Sequence, residues 1–183
     1  MPLNTIPLPY GLRDVRLTPY TTDAATVLGT AVDLPYAQTF SFSEAEEYEE
    51  LRGDDSLIAI HGKGPTVEWE LEAGGISLEA YKAMAGGTVA TTGVTPNQIK
   101  TYKKKGTDTR PYFKAEGQSI SDSGGDFHGL VYKCKADSNL EGEFGDGVFF
   151  VTSASGKGLP ATLTGNVGDL YDFIHNETAV AIP

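Results

Sequence analysis

The chain has 183 residues, a formal net charge of −11 and a sequence pI near 4.6. That length holds one domain with a real core and falls short of what two usually need; the acidity sets the average surface against nucleic acid and anionic lipid. A single cysteine, Cys134, excludes a disulfide framework or a cysteine metal site, and no apolar run approaches the ~20 residues of a membrane-spanning helix.

Residues 1–10, MPLNTIPLPY, have no basic start and are broken by Pro2, Pro7 and Pro9. They read as an extended, proline-stiffened arm and not as a signal peptide. The expectation is a chain that folds in a reducing cytoplasm and is not exported by the general route. In GLRDVRLTPY (11–20), Arg13, Val15 and Leu17 share one face and Leu12, Asp14 and Arg16 the other, which fits a strand ending at Pro19. Residues 21–36 are small and polar, with weak strand character in ATVLGTAVDL.

SEAEEYEELRGDD (43–55) then packs seven carboxylates into thirteen positions. Read by fours it suits a solvated helix, since glutamate is a good helix former. Read by twos, Phe40, Phe42, Glu44, Glu46, Tyr48 and Glu50 follow one another along a strand. The turn signal RGDD and the alternating segment after it favour the second reading, a long β-hairpin over roughly residues 37–72. Its first strand carries carboxylates on both faces, so its distal half must stand in water or against a basic partner. SLIAIHGKG (56–64) is strand-like, and in TVEWELEA (66–73) Val67, Trp69 and Leu71 alternate strictly with Glu68, Glu70 and Glu72. That period marks a half-buried strand.

GGISLEAYKAMAGG (74–87) predicts a helix over 77–86. Ser77 is its N-cap, Glu79 suits the dipole of the first turn, and Gly86–Gly87 stop it. From 88 onward the chain turns β again, in NQIKTYKKK, TRPYFKAEGQS, FHGLVYKCKAD and GVFFVTSAS. The C-terminal segment, about residues 165–183, reads as a short helical turn at 169–175 and then a strand or tail. About ten strands and one helix predict a mainly β, single domain over 1–183: two packed antiparallel sheets, a sandwich or barrel, with one flanking α-helix.

Motifs for chemistry fail one by one. Asp137, Asn139, Glu141 and Gly142 match positions one, three, five and six of a calcium loop, but Val148 stands where the bidentate glutamate belongs. SGKGLP (155–160) lacks the hydroxyl of a phosphate loop. GQSIS has Ser121 where a nucleophile elbow needs glycine, and His61, His128 and His175 lack zinc spacing. With so many glutamates, a pair at glycosidase separation carries no weight. The expectation is a protein that is not an enzyme and takes no cofactor or metal. One asymmetry is positive: Lys100, Lys103, Lys104, Lys105, Arg110 and Lys114 cluster in KTYKKKGTDTRPYFK. This is either a solvated basic hairpin or a patch that meets the acidic hairpin of another copy.

Taken in order, the arm, the hairpin around ELRGDDS, the unit VEWELEAGGISLEAYKAMAGG and the segment KGTDTRPYFKAEGQSISDSGGDFH resemble a known family. It is the major tail protein, or tail tube protein, of long non-contractile-tailed bacteriophages, and the likeness is greatest to those of mycobacteriophages. The resemblance runs over nearly the whole chain and brings no active site. It implies two packed sheets with a flanking helix and hexameric rings stacked into a tube. Each subunit would give four strands to a continuous inner barrel, and a hairpin and the chain termini would contact the next ring. The implied partners are further copies, the tape-measure, terminator and distal tail proteins, and DNA that passes through an acidic lumen without specific binding. The implied location is the virion, after assembly in the bacterial host cytoplasm, with no membrane anchor. About 24 strands spaced ~4.8 Å apart and tilted by about 40° close at a diameter of roughly 48 Å, which leaves room for a duplex. Carboxylates on such a wall repel phosphates, where lysines would hold them.

On that reading the lumen-facing candidates are Glu44, Glu46, Glu47, Glu49, Glu50, Glu68, Glu70 and Glu72. The inter-subunit candidates are Asp54 and Asp55 at the hairpin tip with Lys100, Lys103, Lys104, Lys105, Arg110 and Lys114. The core is Val67, Trp69 and Leu71, packed under the helix through Tyr81 and Met84. Two other readings stand beside it: another virion part (tail terminator, adaptor or capsid decoration protein), and a monomeric β-sandwich module that binds a sugar or a host surface.

Overall fold

The computed structural model describes residues 6–75, 77–138, 140–141 and 144–182. Residues 1–5 of the expected arm, and Asn139 and Gly142 of the calcium-like loop, lie outside these. Among the described residues the chain is mainly β, with two antiparallel sheets and one helix.

Alternation dictates the strands. β1 (Pro9–Pro19) buries Val15 and Leu17 fully on one face, as the period of two requires. Its neighbour β2 (Val32–Asp33) is all that forms from the weak ATVLGTAVDL signal, apart from a lone bridge between Tyr20 and Leu28. β3 (Ala37–Gly53) and β4 (Ser56–Gly74) are the long hairpin. The acidic stretch is therefore strand and not helix. Asp54 and Asp55 form its turn with φ of 50° and 60°, the left-handed pair that matches strand twist in a two-residue connection.

The helix α1 (Leu78–Ala85) is bounded by chemistry visible in the sequence. The Ser77 side chain accepts the Ala80 N–H, and Gly86 leaves the helix at φ 77°. Then come β5 (Thr88–Thr92) and β6 (Ile99–Lys103), which form the small second sheet. β7 (Phe113–Ser121), β8 (Asp126–Ala136), β9 (Val151–Gly158) and β10 (Tyr171–Asn176) complete the chain.

The large sheet runs β2-β1-β7-β8-β9-β4-β3, and β10 adds to β8. β8 is a fork. Its first part, Asp126 to Val131, pairs with β10, and its last part, Cys134 to Ala136, pairs with β9. The two branches fold towards each other, which brings Phe40 and Phe42 of β3 over Gly117 of β7 and Gly129 of β8. A Cβ on Gly117 would lie 2.6 Å from the Phe40 ring, so any side chain there would have to displace the ring. The main core lies between: Val15, Leu17, Val67, Trp69, Leu71, Met84, Phe113, Val131 and Cys134.

Three expectations need correction. Residues 169–175 are not a helical turn; Tyr171–Asn176 is strand, because Phe173 stacks on Phe42 and Tyr171 packs tilted against it while the backbone completes the free edge of β8. The strand expected from GVFFVTSAS begins only at Val151, and Phe149 stands exposed. Tyr81 is half-buried outside the main core, tilted against Tyr102 at 6.0 Å, and it is Phe113 that meets Trp69.

At Gly156, an added Cβ would sit 2.1 Å from the Lys135 carbonyl oxygen and 2.8 Å from the Ala136 Cα. Both neighbours are backbone, so Gly156→Ala must push β9 off β8. The expected loss is about 3 kcal/mol, at the upper end of overpacking costs, read as a lower urea midpoint.

Candidate functional site

The hairpin is long enough to leave the body of the molecule. β9 covers β4 only from Val67 to Gly74. Residues 45–66 therefore pair only with each other and project as a two-stranded ribbon, by about 30 Å at ~3.3 Å per residue. On the outer side β3 has no strand partner among the described residues, since it is the last strand of the sheet.

Within the body, one face of β4 is Val67, Trp69 and Leu71, all buried; the other carries Glu68 and Glu70, exposed, and Glu72, half-buried. Across the ladder Ser43 stands opposite Glu68, Ser41 opposite Glu70 and Thr39 opposite Glu72. The Thr39 hydroxyl lies 3.4 Å from a Glu72 carboxylate oxygen. On the other side Lys157 stands opposite Glu68 and Ser155 opposite Glu70. These three carboxylates thus form a row on the outer face of the sandwich, as the alternation predicts.

Along β3 the carboxylates fall on both faces. Glu44 follows Phe40 and Phe42 onto the core-side face, past the end of the core, and accepts a hydrogen bond from the Tyr171 hydroxyl at 2.9 Å. Glu46 accepts from Tyr48 at 2.7 Å. Each carboxylate holds its phenol above the usual tyrosine range by hydrogen bond and charge. Glu47 and Glu49 share Lys63 at 3.6 and 3.0 Å, and Glu50 pairs with Arg52 at 2.7 Å. Exposed ion pairs of this kind contribute little to stability.

The ribbon also carries side chains that water does not favour. Tyr48, Leu51, Leu57, Ile58 and Ile60 are all exposed, Leu51 and Ile58 by 60% and 62%. Sequence reading singled out the charge of this segment and missed its exposed apolar residues. The signal was present, because a ribbon with both faces in water must expose whatever apolar residues it contains.

The basic cluster is divided by the fold. Lys100 pairs with Glu79 of the helix at 3.1 Å. Lys104 caps the helix C-terminus by donating to the Ala85 carbonyl. Arg110 donates to the carbonyls of Ala136 and Ser138, and Lys114 is largely buried against Glu116 at 2.6 Å. Lys103 and Lys105 remain exposed, with no side-chain ion pair among the described residues. Asp54 and Asp55 stand exposed at the ribbon tip.

A second polar cluster was not foreseen. Glu116, Gln118, Asp126 and His128 are buried together on the face of β7 and β8 that looks away from the main core. In the sequence these four are ordinary strand residues. Only the register, with Gln118 opposite His128, unites them.

Among the described residues no helix is long and apolar enough to cross a membrane, and no cluster of His, Cys, Asp and Glu is arranged to hold a metal ion. Cys134 is fully buried, and desolvation pushes its thiol far up, against a weaker opposing backbone hydrogen bond at Ala115. Compared with protein-family models and with curated proteins, the chain matches none.

Proposed function

We propose that this chain is a structural virion subunit, a tail tube protein whose hexameric rings stack into a conduit for DNA, with no catalytic role. The observation that carries the reading is the ribbon. A two-stranded hairpin is marginal in water by itself, yet this one extends about 30 Å beyond the body. Large exposed apolar side chains mark an interaction surface, and an unpaired edge strand is a template for pairing with another chain. A second copy supplies both needs at once: apolar cover for Leu51, Leu57, Ile58 and Ile60, and cations for Asp54 and Asp55. In this account the row Glu68, Glu70 and Glu72 lines the bore, where it keeps phosphate from adhering.

The test is size-exclusion chromatography and negative-stain microscopy of the full chain at rising concentration. Rings or tubes are expected; a monomer that persists at high concentration overturns the reading and favours a β-sandwich binding module.

The fold also sharpens a charge-reversal experiment. Lys103→Glu with Lys105→Glu alters the exposed cations and spares Lys104, whose loss would uncap the helix. The double variant is expected to stop polymerisation while its circular dichroism and melting temperature stay those of the parent. Normal tube growth would remove this patch from the interface.

A further inference from the structure

Residues 177–182 cross the outer face of β1, β7 and β8 without joining a ladder. Only Ile182 is buried, at 3% exposure; the residues before it are exposed. What holds the segment is a set of side chains gripping its backbone. Asp126 accepts from the Val180 N–H at 2.9 Å, and Gln118 donates to the Val180 carbonyl at 2.8 Å. The His128 Nε2 lies 3.2 Å from that carbonyl and 2.9 Å from Asp126. Arg16 of β1 donates to the Ile182 carbonyl at 2.6 Å.

The floor beneath is ionic. His128 stands between two carboxylates, with Nδ1 3.1 Å from Glu116 and Nε2 facing Asp126, and all three are at most 3% exposed. Lys114 faces Glu116 at 2.6 Å from the same strand, Asn176 of β10 bonds Asp126, and Asp14 of β1 stands opposite Gln118 in the register. Only a doubly protonated imidazole donates to both carboxylates. Buried ionic groups rarely add stability over an apolar core, and their best-attested use is as a switch or register device. A cover over a polar floor has a further property: it can lift without baring a sticky surface.

We propose that residues 177–182 form a strap that His128 holds shut while protonated and releases when it loses its proton. Without that proton one carboxylate loses the imidazole as a donor, Glu116 and Asp126 face each other with less compensation, and the grip on Val180 weakens. Burial alone lowers His128; hydrogen bonds with Asp126 and Glu116, and their charges, outweigh it and hold the imidazole above its usual range. Within the strap it is the Val180 carbonyl facing Nε2 that favours the proton, so the closed strap is stabilised while His128 is protonated and loses that contribution as pH rises through the closed-state value. Asp126 sets the acid side. Burial alone raises it, but hydrogen bonds from Val180, His128, Gln118 and Asn176 bring it down to about 2, so its hold on the Val180 N–H is lost only as pH falls through that value.

The test is hydrogen exchange of the C-terminal peptide in the full chain, corrected for the intrinsic rate at each pH. The opening constant is expected to climb with pH, by at most about tenfold per unit, between the open-state and closed-state values of His128. Amides in β4 should not follow it. His128→Gln should flatten the dependence. Glu116→Gln, which removes one of the two anions facing the imidazole, should move the rise to lower pH. A flat wild-type profile, or an unchanged slope in folded His128→Gln, overturns the strap. If His128→Gln fails the circular dichroism check, an unshifted profile in Glu116→Gln overturns it alone.

Discussion

Trp69→Ala is expected to cost about 3–5 kcal/mol of folding stability, the range for deleting a large core side chain, seen as a large drop in the urea midpoint with the slope retained. The ring is 3% exposed and meets Phe113 edge-on, with centroids 5.4 Å apart at 78°. It sits in the middle of β4, between Phe42 of β3 and Gly156 of β9 in the register. Residue 156 is a glycine, so that rung has no side chain to move into the void. Trp69→Phe should be far milder, within about 1.5 kcal/mol. The Trp69 Nε1 is buried with no hydrogen-bond partner among the described residues; removing it relieves an unpaired donor. A loss in Trp69→Phe equal to that in Trp69→Ala would mean that the amount of buried ring does not decide the site.

The ribbon predicts the opposite signature. Replacing Leu51, Leu57, Ile58 and Ile60 with serine should leave the isolated subunit nearly as stable as before, within ~0.5 kcal/mol per site, because all four are already exposed. Self-association should suffer instead. Burying such a side chain is worth about 1.5–3 kcal/mol, so covering even two of them in a neighbour implies at least a ~100-fold rise in the concentration needed to assemble. Analytical ultracentrifugation of parent and variant reads this directly. If the variant associates at the parent's concentration, the tip does not dock in another copy.

Much of this architecture was legible before any coordinates. Period two in Val67, Trp69 and Leu71 gave the buried face of β4, and Ser77 with Gly86–Gly87 gave both ends of the helix. Such features are local: the residues that specify them lie within a turn or a strand of one another. The 169–175 error is of the other kind. Tyr171 and Phe173 become strand because a free edge of β8 and the rings of Phe42 and Phe127 await them, and nothing nearby in sequence announces either. The candidate surfaces divide in the same way. Glu68, Glu70 and Glu72 fell on the exposed face that alternation assigns. The lysine cluster looked like one patch, yet Lys100, Lys104 and Arg110 are engaged within the chain by groups remote in sequence, and Lys114 by Glu116 of its own strand. The Glu116–His128–Asp126 set was invisible for the same reason, since only the pairing of β7 with β8 makes it a set.

The fork in β8 has a mechanical consequence. Tension drawn along the ribbon enters the body through β4 and leaves through its ladder with β9, from Val67 opposite Gly158 to Gly74 opposite Val151. Those rungs lie across the direction of pull, so they bear the load together in shear and do not unzip in turn. The force then reaches β8 at Cys134–Ala136 and is handed through that single strand to the opposite layer. A molecule wired this way resists stretching along its protruding lever far better than peeling from the side.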